Sequence, residues 1–145
     1  LTLNSNSPFS SLKEVICSNK AQNMVGVALE KTIRATALAL LGAIVIDTPA
    51  QTGRLRGNWD VTLDKASSQE NYKLYDLAGS STVSKGNSRL AGYKIANTIY
   101  ITNNINYATY VEDGTANTSG RHMVANAKTR FNAELEKANA KFRIK

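Results

Sequence analysis

The stretch Thr48-Pro49-Ala50-Gln51-Thr52-Gly53-Arg54-Leu55-Arg56-Gly57-Asn58-Trp59 separates a long helix-forming segment from a strand-forming one. Pro49 lacks an N–H and disfavours the α region at Thr48, so a helix running up to residue 47 has to stop here. Gly53 supplies a position where φ can be positive. If the chain is extended beyond it, alternate residues face opposite ways, so Arg54 and Arg56 share one face and Leu55 takes the other. Two readings of the arginines stand. They are solvated side chains of a connector, or they are offered to a neighbour or to nucleic acid.

On the N-terminal side, the pattern over residues 21–47 is helical. From Ala35 to Ile46 almost every side chain is apolar, and a helix apolar all round is buried all round. One small domain covers only part of that surface, so the remainder is expected to meet another subunit. The apolar run is about twelve residues, short of the ~20 that a membrane helix needs, so no membrane partner is expected. Residues 1–10 read as a flexible arm. Ser11 and Glu14 have capping-box spacing and open a short helix to about residue 18.

On the C-terminal side, residues 57–65 alternate as a strand, with Trp59, Val61 and Leu63 on one face. Residues 72–78 give a weaker second strand and residues 93–102 a third. Between the last two, residues 79–92 carry three glycines and four serines with Lys85 and Arg89. They read as a flexible loop, either reaching a neighbour or DNA or forming a hairpin tip. Tyr107, Tyr110 and Val111 have helical-turn spacing, and Gly114 would stop that turn. A last helix is expected over residues 121–140, capped by Thr118 or Ser119. Its stripe is Val124, Ala127, Phe131, Leu135, Ala138 and Phe142. The sum is an α+β fold: a long N-terminal helix and a C-terminal helix packed on a small antiparallel β-sheet. Residues 11–145 form one domain, without an internal repeat.

The 145 residues are 42% hydrophobic and 20% charged, which suits one domain with a real core. The formal net charge is +7, and Lys128, Arg130, Lys137, Lys141, Arg143 and Lys145 gather beyond position 127. Such an excess favours polyanionic partners, although a solvated helix face explains most of these residues as well. A lone cysteine, Cys17, makes no internal disulfide and fits a reducing compartment. No signal-peptide pattern is seen. Equipment for catalysis is missing. The chain has one histidine, His122, adjacent carboxylates Glu112 and Asp113 that do not flank a substrate, and no Walker, Rossmann, zinc or serine-elbow motif. No enzyme, cofactor or metal is expected. Asn117-Thr118-Ser119 matches a glycosylation sequon, which means little without secretion.

Two stretches, taken together, resemble one family. Thr48-Pro49 through Thr52-Gly53-Arg54-Leu55-Arg56 is similar to the "aPvdTGrLr" signature of tailed-bacteriophage head–tail joining proteins, also called neck, tail-completion or minor tail proteins. Tyr107-Ala108 through Tyr110-Val111-Glu112 and Gly114-Thr115 is similar to that family's "YA-x-yvE-x-GT". The order and the flanking helices match as well. The chain departs in having Gln51 where the family often has Asp, Asn58-Trp59 for a small polar residue and Ile, and no proline in Arg121-His122-Met123.

The resemblance implies a structural virion protein made in the host bacterial cytoplasm. It would form a homo-oligomeric ring, commonly sixfold with twelvefold the alternative, around the DNA channel. Its partners would be the portal or adaptor and the tail-tube or tail-terminator proteins. On that reading Thr52, Gly53, Arg54, Leu55 and Arg56 shape the corner and offer arginines to a neighbour. Tyr107, Tyr110 and Val111 pack the sheet end, Glu112 pairs with Arg54 or Arg56, and Gly114 and Thr115 complete the second motif. Lys85, Arg89, Lys137, Lys141, Arg143 and Lys145 would touch DNA or acidic neighbours without reading bases. The rival is a nucleic-acid-binding protein acting alone. It should expose aromatics for stacking, whereas these tyrosines sit in positions expected to be buried.

Overall fold

The structure, a computed structural model, describes residues 2–3 and 19–144. The expected helix at 11–18, most of the arm and Lys145 lie outside the described residues. The fold is α+β, built around the 29-residue helix α1, Asn19–Asp47. Leu29, Ile33, Ala37, Leu40, Leu41, Ile44 and Val45 recur at three- and four-residue spacing and are all buried. Three layers cover them. The C-terminal helix α5, Met123–Phe142, lies along α1 and contributes Met123, Ala127 and Ala138. The helix α3, Ser80–Leu90, brings Leu90. The strands β2, Asp60–Leu63, and β3, Ile99–Thr102, bring Val61, Ile99 and Ile101. Trp59 is buried in the same cluster as a core anchor.

Strands β2 and β3 pair antiparallel, Asp60 opposite Thr102 and Leu63 opposite Ile99. On the other side of β3, the strand β1, Thr2–Leu3, pairs antiparallel with Ile99 and Tyr100. The β2 end is pinned by Asp64, which has a positive φ of 67°. Its carboxylate accepts from the Thr98 N–H at 2.9 Å and from Asn97 Nδ2 at 2.7 Å. The second motif forms the short helix α4, Ala108–Asp113, which ends at Gly114 with φ 84°. A two-rung hairpin follows, β4 Gly114–Thr115 with β5 Thr118–Ser119.

The fold corrects five expectations. Residues 79–92 are not a loop. Thr82, Gly86 and Leu90 recur every four residues and are buried, so the Gly/Ser composition hides a helical stripe. Gly86 is glycine because a Cβ there would collide with Leu41. Residues 72–78 are not a strand; β2 takes β3 as its partner instead. The third strand begins only at Ile99, and Tyr93 is a fully buried residue of the turn after α3. The helix α5 starts at Met123 and is capped by neither Thr118 nor Ser119, both of which are spent in the hairpin. Nor is α1 buried all round: over residues 35–45 Thr36, Ala37, Leu40, Leu41, Ile44 and Val45 are buried on one face, Ala35, Leu38, Ala39, Gly42 and Ala43 are half-buried on the other, and Ile46 is 74% exposed.

Candidate functional site

Thr48 organises the corner. Its hydroxyl donates to the Ile44 carbonyl at 2.6 Å and accepts from Trp59 Nε1 at 2.8 Å. The last carbonyls of α1 would otherwise lack partners, and no basic residue stands in its last turn. Arg56 meets both needs. Its Nη2 donates to the Thr48 carbonyl at 2.7 Å and the Ile46 carbonyl at 3.3 Å, its Nε donates to the Thr48 carbonyl at 3.2 Å, and its Nη1 donates to the Leu77 carbonyl. A planar guanidinium can do this where an ammonium cannot, and its charge suits a helix C-terminus.

Gly53 makes the turn with φ 77°, and its carbonyl accepts from the N–H groups of Gly57 (2.8 Å) and Asp76 (3.0 Å). A Cβ there would sit 2.6 Å from the Leu77 nitrogen. Asp76 is buried and caps α3: its carboxylate accepts from the Gly79 N–H (2.9 Å), the Thr82 N–H (2.8 Å) and the Thr82 hydroxyl (2.7 Å). Burial pushes that carboxyl up, but the Thr82 and Gly79 hydrogen bonds and the nearby Arg56 charge outweigh it and hold it below its ordinary value.

The two arginines do not share a face. Residues 54–57 form a helical turn, α2 Arg54–Gly57, rather than an extended segment. Positions two apart on a helix lie roughly 200° around it. Leu55 is buried, Arg56 turns into the body and Arg54 turns outward. Arg54 Nη2 donates to the Tyr75 hydroxyl at 2.8 Å, and the guanidinium lies 5.3 Å from the Tyr75 ring centre and 5.7 Å from that of Tyr72. The Tyr75 hydrogen bond, with a smaller contribution from Tyr107, raises its pKa further. At this corner Tyr75 is 52% exposed and Leu77 61%; Tyr110, three residues beyond Tyr107 along α4, is 64% exposed. Ile46 and Leu77 both offer carbonyls to Arg56, so these exposed apolar residues belong to the same corner.

Several predicted roles change. Glu112 pairs with neither arginine. Its carboxylate accepts from the N–H groups of Val124 at 3.0 Å and Ala125 at 3.1 Å, capping α5. It can do so because α4 ends beside the start of α5, where Arg121 N–H bonds the Val111 carbonyl and His122 N–H the Glu112 carbonyl. Tyr110 does not pack the sheet end; Tyr107 and Val111, half-buried, do pack against the core. Thr52 accepts only from the Arg54 N–H at 3.3 Å, and Thr115 is exposed in the hairpin. Lys85 is paired 3.0 Å from the buried Asp60. Burial raises that carboxyl, but hydrogen bonds from Ser67 and Lys85 and the charges of Lys85 and Arg89 bring it below the ordinary value. Lys85 is thus engaged within the fold, while Arg89 is exposed on α3 and contributes only its charge. Lys137 bonds Glu134 at 2.9 Å, Lys141 lies 5.2 Å over the Phe142 ring, and Arg143 is exposed beyond α5.

The sequence reading missed Tyr72, Tyr75 and Asp76. Their signal was faint: a Y-K-L-Y-D string that also reads as a strand. Among the described residues, no group of three or more His, Cys, Asp or Glu could hold a metal, and no helix is long and apolar enough to cross a membrane. Comparison of the chain with protein-family models, with curated proteins and with solved structures finds no match.

Proposed function

We propose that this chain is a structural, non-catalytic protein of the tailed-bacteriophage neck. It would form a ring that completes the top of the tail and joins it to the portal complex around the DNA channel. The observation that supports this reading is the division of labour within the two resembling motifs. Arg56 and Glu112 are used internally, as caps of α1 and α5. Arg54 and Tyr110, one from each motif, are left at the surface, and Arg54 also meets Tyr107. Tyrosine and arginine around exposed apolar residues are the composition of protein-interface hot spots. The corner would then be the surface offered to a neighbouring subunit.

A second reading has an observation of its own. Tyr72 and Tyr75 are exposed beside Arg54, contrary to the burial expected from sequence, and aromatics next to a cation are also a stacking platform for single-stranded nucleic acid. Cryo-electron microscopy of purified particles tests the first reading directly. A ring of this chain between portal and tail tube is the expected density, and its absence from the particle would refute the neck assignment. Arg54→Glu separates the two readings. In a neck protein it blocks incorporation into particles; in a nucleic-acid binder it abolishes a salt-sensitive affinity and leaves oligomeric state unchanged.

A further inference from the structure

Away from the corner, α1 and α5 leave a second surface. Two adjoining cavities of about 520 and 330 Å³ run along the seam between the N-terminal half of α1 and the end of α5, and they share Lys31, Lys141 and Phe142. Together they form a groove reaching from Asn23 to Leu38 on α1, about four helical turns or roughly 22 Å. Its floor is apolar, with Met24, Val27, Leu38, Phe142 and Ile144, and Met24, Val27 and Ile144 are largely exposed. No acidic residue lines either cavity, while Lys31, Arg34 and Lys141 do. Arg34 is held in place by Glu30 and the Tyr93 carbonyl. Among the described residues Lys31 and Lys141 make no salt bridge.

We infer that this groove docks an amphipathic helix of a partner protein whose apolar stripe is flanked by Asp and Glu. Length, floor and rim each constrain the occupant. Four turns accommodate a helix of about fourteen residues with anchors at i, i+3 or i+4, and i+7. The floor requires an apolar stripe rather than a polar strand. The rim rejects a basic flank, because like charges brought against Lys31 and Lys141 in a partly desolvated groove are costly. The inference does not rest on the neck assignment, since it uses neither signature motif.

The test uses the full chain and three synthetic fourteen-residue peptides followed by fluorescence anisotropy. One has a leucine stripe with glutamate flanks, one the same stripe with lysine flanks, and one is a scramble of the acidic peptide. The acidic amphipathic peptide is expected to bind best and to weaken as salt rises. Lys31→Glu with Lys141→Glu should weaken it about tenfold and transfer the preference to the lysine-flanked peptide. Both residues are exposed, so the variant should melt like the parent. Equal binding of acidic and scrambled peptides, or an unchanged preference in the charge-reversed variant, would overturn the inference. So would self-association abolished by Val27→Asp, which assigns the groove to a second copy. Stronger binding to phosphatidylglycerol vesicles than to any peptide would also overturn it.

Discussion

Replacing Arg56 with methionine keeps the length of the side chain and removes all of its donors. Three carbonyls lose their guanidinium partner, at Thr48, Ile46 and Leu77. They do not cost the same. Ile46 and Leu77 are exposed, so water can replace the arginine there. Thr48 is 1% exposed, and an orphaned buried carbonyl costs about 1–3 kcal/mol. Loss of the cation from the C-terminus of α1 adds about 0.5 kcal/mol. The expected destabilisation is therefore about 1.5–3.5 kcal/mol, roughly 5–14 °C in Tm for a domain of this size. Trp59, the single tryptophan, bonds the Thr48 hydroxyl and reports the corner directly. Urea unfolding followed by its fluorescence should show a lower midpoint and an unchanged m-value. Arg54→Met is the comparison and should cost less, since it removes an exposed hydrogen bond to Tyr75 and two ring contacts and orphans no buried carbonyl. Arg56→Lys should recover only a minor part of the loss, because an ammonium cannot span the carbonyls. An Arg56→Met variant as stable as Arg54→Met would refute the capping role.

Four further outcomes follow from the caps, the turns and one buried hydroxyl. Glu112→Ala should cost about 1–2 kcal/mol and speed amide exchange at Val124 and Ala125, which lose their acceptor. Asp76 has a lowered pKa in the fold, so its contribution is complete above the ordinary value of 3.8 and fades as the pH falls through the folded value. Asp76→Asn should therefore lower stability at neutral pH and flatten its fall below about pH 4, as read by acid titration of Trp59 emission. Gly53→Ala should destabilise by at least about 2 kcal/mol, from the positive φ and the 2.6 Å approach of its Cβ to the Leu77 nitrogen. Tyr93 is buried, its hydroxyl has no hydrogen-bond partner among the described residues, and burial together with Glu30 pushes its pKa up to about 12. Tyr93→Phe should accordingly be neutral or stabilising by up to about 1 kcal/mol in thermal melts.

Periodicity carried much of the fold. The Trp59/Val61 face and the α5 stripe are sharply patterned, and each is where the sequence put it, whereas the apolar run of α1 resolves into a single buried face that the uniform composition hid. Composition misled where it was set above period. Gly86 of α3 marks a close approach to Leu41, and Gly79 and Thr82 mark a cap at Asp76, neither of which is visible without the neighbour. The corner was legible as a corner, but the direction of its arginines was not. That direction depends on whether residues 54–57 coil or extend, and coiling is imposed by the Gly53 carbonyl, which takes N–H groups from Gly57 and from distant Asp76. Glu112 failed as an ion-pair partner for a related reason. The start of α5 offered it backbone donors, and only the tertiary return of the chain brings them there.

The packing of α5 along α1 also has a consequence for biosynthesis. Roughly seventy-five residues separate Asp47 from Met123, so at about 5–20 residues per second the ribosome needs on the order of 4–15 s to supply the helix that shields the first one. During that interval Leu40, Leu41, Ile44 and Val45 have only α3 and the sheet to cover them, and even the sheet waits for Thr102. A nascent chain of this design carries its most apolar helix uncovered for longest, and that is the stage at which it is most prone to aggregate.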